Sequence, residues 1–218
     1  YSEKSNFEEF KKYFSEKYNR GFMEIDENIN IKIGSIGDDT LNSGEGSDIL
    51  VGGIGNDKLN GGAGDDIYIF NKGDGQDIIN DEKDYDANIK YYYNAGNDTL
   101  RFGKDITKED ILMKQEGSNV IVGIKEEGKT FEELRDKITL TNWTNVNGRI
   151  ENFEFVDGTK LGIQEILKLF GTFEDNTFGW TESILEASFE QGNDKVITGN
   201  YNDVIHLGSG DDEVSSQG

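Results

Sequence analysis

Residues 34–69 read GSIGDDTLN, SGEGSDILV, GGIGNDKLN and GGAGDDIYI, four contiguous nines that align without a gap. A fifth nine, KGDGQDIIN, occupies residues 72–80 after a two-residue insertion. The sixth position is always an aspartate, and the eighth is always an apolar or tyrosine side chain. The aspartates are Asp39, Asp48, Asp57, Asp66 and Asp77, and the eighth residues are Leu41, Leu50, Leu59, Tyr68 and Ile79. Such phased repeats predict a stacked, repetitive fold.

Parts of the same pattern recur further along the chain. The sequence GNDTL at 96–100 matches half of one repeat, and 189–215 divides into FEQGNDKVI, TGNYNDVIH and LGSGDDEVS. The sixth positions of this second block are Asp194, Asp203 and Asp212. The block departs from the pattern, since Tyr201 replaces the fourth-position glycine and the doubled glycine is missing. We therefore expect fewer complete sites there.

The spacing suits calcium, a hard cation that takes about six to eight oxygen ligands at about 2.3–2.6 Å. Glycines at positions one, two and four permit the positive φ of a tight loop, and the sixth-position aspartate adds a carboxylate. The next three residues form a short strand whose middle side chain points inward and whose neighbours point outward. Two nines make one coil, so alternate loops stack with an ion between them. The predicted pairs are Asp39 with Asp57, Asp48 with Asp66, Asp57 with Asp77, and Asp194 with Asp212.

These motifs resemble the nonapeptide repeat of the RTX, or haemolysin-type calcium-binding, family of secreted bacterial proteins. In that family backbone carbonyls of the loops join the aspartates, which implies ligands at positions one, three and five. The residues implied are Gly34, Ile36, Asp38, Ser43, Glu45, Ser47, Gly52, Ile54, Asn56, Gly61, Ala63 and Asp65, with Asp98 and Asp203 as further carboxylates. The segment between the blocks, which contains IENFEFVDGT at 150–159, resembles a small module that follows such repeats in haemolysin-type exoproteins. The resemblance also implies the type I secretion machinery as a partner.

We expect a mainly β fold with a calcium-bound parallel β-roll (β-solenoid), a small α+β insert and the start of a second β-roll. The domains expected are an N-terminal capping helix and lead-in strand (1–33), the first roll (34–101), the α+β module (102–175) and the second roll (176–218). A capping box and an aromatic face predict the helix at 5–20. Residues 81–95 are predicted to leave the roll as an exposed excursion. Strands are predicted at 30–33, 119–124, 137–140 and 150–156, a short helical turn at 107–110, a helix at 163–170, and a hairpin turn at Asp157-Gly158.

Composition narrows the function classes. The formal net charge of −22 opposes binding to nucleic acid and to anionic membrane surfaces. The absence of Cys excludes disulfides and thiolate metal sites, and a single histidine, His206, excludes multi-histidine zinc sites. No apolar run approaches the length of a transmembrane segment. Because no nucleophile motif accompanies His206, we expect no enzymatic activity from these residues.

The expected function is a calcium-binding module of a large secreted bacterial protein of toxin or adhesin type, acting outside the cell or at its surface. It binds several Ca²⁺ ions and folds on binding them after export. One alternative is an adhesin segment whose insert binds a host-surface glycan or protein through an aromatic platform at Trp143 or Tyr91–Tyr93, although Trp143 is most simply a core residue. Another is a non-catalytic region of an exoenzyme such as a protease, lipase or polysaccharide epimerase. In each case we expect the chain to be part of a longer protein.

Overall fold

A computed structural model describes residues 30–81, 85–86, 91–92, 96–145, 148–170, 177–180, 185–189 and 191–216, and for 85–86 and 91–92 the backbone alone. The described part of the protein is mainly β, with 48% of its residues in strands and 6% in helices. Its parallel sheets are consistent with the predicted β-roll. The predicted helix at 5–20 and most of the predicted excursion lie outside the described residues.

The lead-in strand, the five nines and the GNDTL segment form a first stack of two parallel sheets. The first sheet contains β1 (Ile31–Ile33), β3 (Ile49–Val51), β5 (Ile67–Phe70) and β9 (Thr99–Phe102), and the second contains β2 (Thr40–Glu45), β4 (Lys58–Ala63) and β6 (Gln76–Ile79). Paired residues are 18 apart from β1 to β3, from β2 to β4 and from β3 to β5, so each coil uses two nines. The insertion lengthens the step from β4 to β6 to 20 residues, and the step from β5 to β9 is 32.

The eighth-position side chains fill the core of the first stack, as predicted. Leu50, Leu59, Tyr68, Ile79 and Leu100 are each at most 3% exposed. On the opposite face of β3 and β5, three apolar seventh or ninth side chains are buried as well. Ile49, Val51 and Ile69 form a second cluster, with Ile31, Ile67 and Val156 packed against it.

The predicted insert continues both sheets of the first stack. Its strands are β10 (Ile111–Glu116), β11 (Asn119–Ile124), β12 (Lys137–Leu140), β13 (Asn152–Glu154) and β14 (Lys160–Leu161). Strand β12 pairs in parallel with β6, and β13 pairs in parallel with β9. Strands β10, β11 and β14 complete these sheets through antiparallel pairs. The boundaries of this segment as a separate domain stay a prediction.

Local elements of the insert follow the sequence with three differences. A 3-10 helix at Lys108–Asp110 and the turn at Gly158 occur where they are predicted. Helix α1 (Ile163–Leu167) ends before 170 because Phe170 forms a bridge with Met113. Strand β13 is shorter than 150–156, since the Phe155 N–H already bonds to Thr159 across the hairpin turn. Strand β10 was not predicted, although alternate residues of it are buried.

A second stack follows the same 18-residue period. Its strands are β15 (Thr177–Trp180), β17 (Lys195–Thr198) and β19 (Glu213–Ser216) in one parallel sheet, and β16 (Glu186–Ser188) and β18 (Val204–His206) in another. Val196 is fully buried, whereas Val214 in the edge strand β19 is 46% exposed. A separate antiparallel pair, β7 (Tyr85–Asp86) and β8 (Tyr91–Tyr92), lies between β6 and β9 in the sequence.

Trp143 joins the insert to the second stack. It is 0% exposed, and its Nε1–H donates to the Ile150 carbonyl at 2.8 Å. Its ring lies 5.9 Å from the ring of Trp180, and the guanidinium of Arg149 lies over both rings. The alternative of an exposed sugar platform at Trp143 is therefore wrong, because its polar group is bonded and its faces are covered.

Candidate metal centre

The sixth-position acids of the repeats line up in two columns along the loop edges of the first stack. In each column the Oδ1 of one aspartate accepts a hydrogen bond from the backbone N–H of the residue one coil earlier. The N–H groups of Asp48 and Asp39 donate in this way to Asp66 and Asp57 at 2.7 Å, and that of Asp57 donates to Asp77 at 2.9 Å. The structure thus brings each predicted pair of the first stack together, including the pair that spans the insertion.

The second carboxylate oxygen, Oδ2, is free to bind a cation in several of these aspartates. In Asp48, Asp57, Asp66 and Asp98, Oδ2 is buried and accepts no hydrogen bond among the described residues. A buried carboxylate oxygen without a donor carries a large desolvation cost, which a bound cation removes. Asp39, at the start of its column, differs because its Oδ2 accepts from the Ser35 N–H at 2.6 Å.

First-position glycines make room for these oxygens. A Cβ on Gly52 would lie 2.4 Å from Oδ2 of Asp57, and a Cβ on Gly61 would lie 2.1 Å from Oδ2 of Asp66. Each loop therefore curls around the unbonded oxygen of its own aspartate. A buried oxygen-only cradle of this kind fits a hard cation such as calcium, and the residues present fit the ion that the repeats predict.

The predicted carbonyl ligands lie on the same loop edges. The third-position carbonyls of Ile54 and Ala63 each accept an N–H from the coil before, at 2.6 and 2.7 Å, and keep a second lone pair. Ile36 and Ile54 are 85% and 56% exposed, because their side chains point to solvent. Only their backbone carbonyls are available to the loops as ligands. The ligand roles of all the predicted carbonyls stay predictions, those of Gly34, Ile36, Asp38, Ser43, Glu45, Ser47, Gly52, Ile54, Asn56, Gly61, Ala63 and Asp65 alike.

The fifth-position residues form a ladder that the sequence did not suggest. Asp38 accepts from the Asn56 N–H at 2.9 Å, and Asp65 accepts from the Asn97 N–H at 2.9 Å. These bonds run in the opposite direction to those of the sixth-position aspartates, because here the later coil donates. Their side chains therefore tie successive loops together as well as favouring turns.

The second stack repeats this arrangement less completely. Asp212 accepts from the Asp194 N–H at 3.0 Å, so the predicted pair is formed. Asp203 instead accepts from the N–H of Leu185 at 2.8 Å and has no acid at the equivalent position one coil earlier. His206 is exposed on the outward side of β18, as the repeat position predicts.

Sequence reasoning missed two acids that join the columns. Glu151, just before β13, accepts from the Asp98 N–H at 2.7 Å and so occupies a sixth position in the insert. Asp81 follows the fifth repeat and is 1% exposed. Their positions in the sequence could have indicated this, since each acid lies beside a strand, where the repeats place a loop residue.

Burial governs the protonation of these acids in the calcium-free protein. Burial raises the pKa of Asp66 and that of Asp77 to about 7 each, from an ordinary value of 3.8. Burial likewise raises the pKa of Asp57 and, together with the neighbouring Asp81, that of Asp98. Acids that hold a proton near neutral pH release it when a cation binds.

This protonation predicts an opposite pH dependence with and without calcium. A group whose pKa is raised by folding stabilises the folded state at low pH and loses that contribution as the pH rises through its folded pKa. In chelator, we therefore expect the stack to lose stability between about pH 4 and 7, where Asp66 and Asp77 deprotonate. With calcium, affinity should rise with pH over the same range, by about tenfold per pH unit for each proton displaced.

Circular dichroism in chelator from about pH 4 to pH 8, a window that spans the expected titration, measures the folded fraction without calcium, and calcium titrations over the same pH range measure the affinity. Titration calorimetry in buffers of different ionisation enthalpy counts the protons released. Stability that rises with pH in chelator would contradict the assignment of raised pKa values to these acids.

In the described part of the chain, no helix is both long and apolar enough to cross a membrane.

Two protein-family models match the sequence. The RTX calcium-binding nonapeptide repeat (4 copies) matches residues 33–68 and 190–217, and the haemolysin-type calcium binding protein related domain matches residues 119–165. No curated protein matches the chain. The repeat model thus covers loops of both stacks, and the chain belongs to the RTX, or haemolysin-type calcium-binding, repeat family.

Proposed function

We propose that this chain is a calcium-driven folding module of a secreted bacterial protein, built as two parallel β-rolls joined by the related domain. The observation that carries the proposal is the set of buried carboxylate oxygens without hydrogen bonds in the two columns, at Asp48, Asp57 and Asp66. Removing such groups from water is costly unless a positive charge is near. A calcium ion between stacked loops offsets this cost and holds successive coils together.

In this proposal each ion is held by residues of this chain alone. The sixth-position Oδ2 atoms supply the charge, and the loop carbonyls of positions one, three and five supply neutral oxygens. In the second roll Asp194 and Asp212 form the corresponding pair. Each Oδ1 stays on a backbone N–H of the neighbouring coil, so it orients the carboxylate while Oδ2 binds the ion.

Charge couples this binding to folding. Residues 34–81 contain ten acids and two bases, so coiling them brings like charges together. Each nine also buries little more than one inward side chain. The free energy gained by that burial is small compared with the conformational entropy lost when nine residues are ordered. Without cations the stacks should therefore unfold, and calcium binding should drive folding.

Such coupling suits export in an unfolded state. Extracellular calcium modules bind at about 10⁻⁴–10⁻³ M, a level far above that of a cytosol. The repeat family typically belongs to secreted bacterial proteins, which supports a parent of toxin or adhesin type that leaves through the type I machinery and folds outside. The segment itself acts in this proposal as a non-catalytic module.

Circular dichroism of the whole chain tests the proposal. We expect a largely unfolded spectrum in chelator and a β spectrum in calcium, with a midpoint at about 10⁻⁴–10⁻³ M. Asp57→Asn, which removes charge at a buried loop oxygen, should move the midpoint to higher calcium. Asp105→Asn removes the same charge at an exposed position and should leave the midpoint in place. Identical spectra in chelator and in calcium would rule out calcium-driven folding.

A further inference from the structure

We infer that Asp66, Asp81 and Asp98 form a three-carboxylate cation site that binds calcium more tightly than the paired aspartates of the other loops. The inference rests on the proposed calcium-bound stack and identifies one site in it as distinct. Asp81 lies outside the residues that the repeat model matches, and it is not a sixth-position aspartate.

The geometry of the three carboxylates fits one ion. One oxygen of each residue lies within 4.8 Å of the oxygens of the other two. Two oxygens on opposite sides of one calcium ion are about 5 Å apart, so a single ion can contact all three. Asp66 and Asp98 are 0% exposed and Asp81 is 1% exposed, and Oδ2 of each is buried without a hydrogen bond among the described residues. Three neighbouring carboxylates thus each keep a buried oxygen that a cation could bind.

The site forms because two different parts of the stack meet there. Asp66 and Asp98 are successive members of one column, with the Asp66 N–H donating to Oδ1 of Asp98 at 2.7 Å. Asp81 lies two residues after β6 of the other sheet and reaches across to the loop of the coil before. Its Oδ1 lies 3.4 Å from the backbone nitrogen of Gly62. A carboxylate thus stands opposite the doubled glycine of that loop.

Tyr68 positions the third carboxylate. It is the one tyrosine among the eighth positions of the five nines, where the other four are Leu or Ile. Its hydroxyl accepts the Gly61 N–H at 2.6 Å and donates to Oδ1 of Asp81. One oxygen of Asp81 is therefore fixed by the tyrosine, and the other is left for the ion.

The position of this site in the chain explains why it needs the extra charge. The step from β5 to β9 is 32 residues, against 18 for the regular coils. Closing a longer segment costs more conformational entropy. An ion held by Asp66, Asp81 and Asp98 ties the two ends of that segment to each other and to a residue within it. Three negative charges attract a divalent cation more strongly than two, so this site should fill first.

Calcium titration calorimetry of the whole chain tests the inference. We expect Asp81→Asn to weaken the tightest class of sites at least about tenfold, because one of three charges is lost. The weaker classes should not change, and the exposed control Asp105→Asn should match the wild type. An unchanged tightest class in Asp81→Asn would overturn this site alone. A wild-type chain that binds no calcium would overturn the proposed function and this inference with it.

Terbium luminescence gives a second test that does not depend on how Asp81→Asn folds. A lanthanide in the site lies next to the Tyr68 hydroxyl, so tyrosine excitation should sensitise its emission. Tyr68→Phe keeps the three carboxylates and should still bind terbium, but emission at the first equivalent should fall to less than about half of the wild-type value. Undiminished emission at the first equivalent would place the first ion elsewhere.

Discussion

Replacing Gly61 with alanine is expected to abolish calcium binding at the Asp66 loop and to unfold the middle of the first stack. The new Cβ would lie 2.1 Å from Oδ2 of Asp66 and 2.6 Å from the Tyr68 hydroxyl. Contacts this short force either the carboxylate or the loop to move. The carboxylate cannot move without leaving the position proposed for the ion. We expect the calcium midpoint in circular dichroism to rise at least about tenfold, the equivalent of about 1.4 kcal/mol or more.

The neighbouring repeat supplies a matched control. Ser43 occupies the same first position in the loop of Asp48 and already carries a side chain. Ser43→Ala adds no atom to that loop, so we expect a calcium midpoint close to that of the wild type. Equal midpoints for Gly61→Ala and Ser43→Ala would show that the first position is not where the ion and the carboxylate meet.

Replacing Trp143 with alanine is expected to lower the free energy of unfolding in saturating calcium by about 3–5 kcal/mol. The indole is 0% exposed, donates to Ile150 and packs on Trp180 and Phe170. Its loss leaves a large cavity and an unbonded carbonyl where the insert meets the second stack. Thermal or denaturant unfolding in excess calcium measures the change.

Two variants separate a core role from a surface role at this position. Trp143→Phe keeps most of the buried ring and should cost clearly less than alanine. Tyr201→Ala removes an aromatic ring that is 50% exposed and should change stability by less than about 0.5 kcal/mol. A stable, well-folded Trp143→Ala protein would contradict the packing described here.

Much of the repeat architecture could be predicted from local sequence. The period of two nines per coil, the inward eighth side chains and the strands at 119–124 and 137–140 are all confirmed. These features follow from residues close in the chain, because a glycine loop, an aspartate and an alternating strand recur together. The predicted aspartate pairs also meet in space, although their binding of calcium stays a prediction.

Other features depend on contacts that no local pattern encodes. Asp81 and Glu151 join the acid columns only because strands far apart in sequence become neighbours, and Trp143 meets Trp180 for the same reason. The repeated motif determined how the chain coils, since each nine carries its own loop and strand. Packing of β12 on β6 and β13 on β9 decided how the coils continue into the insert. That choice rests on burial and backbone pairing between distant segments, which periodicity alone does not specify.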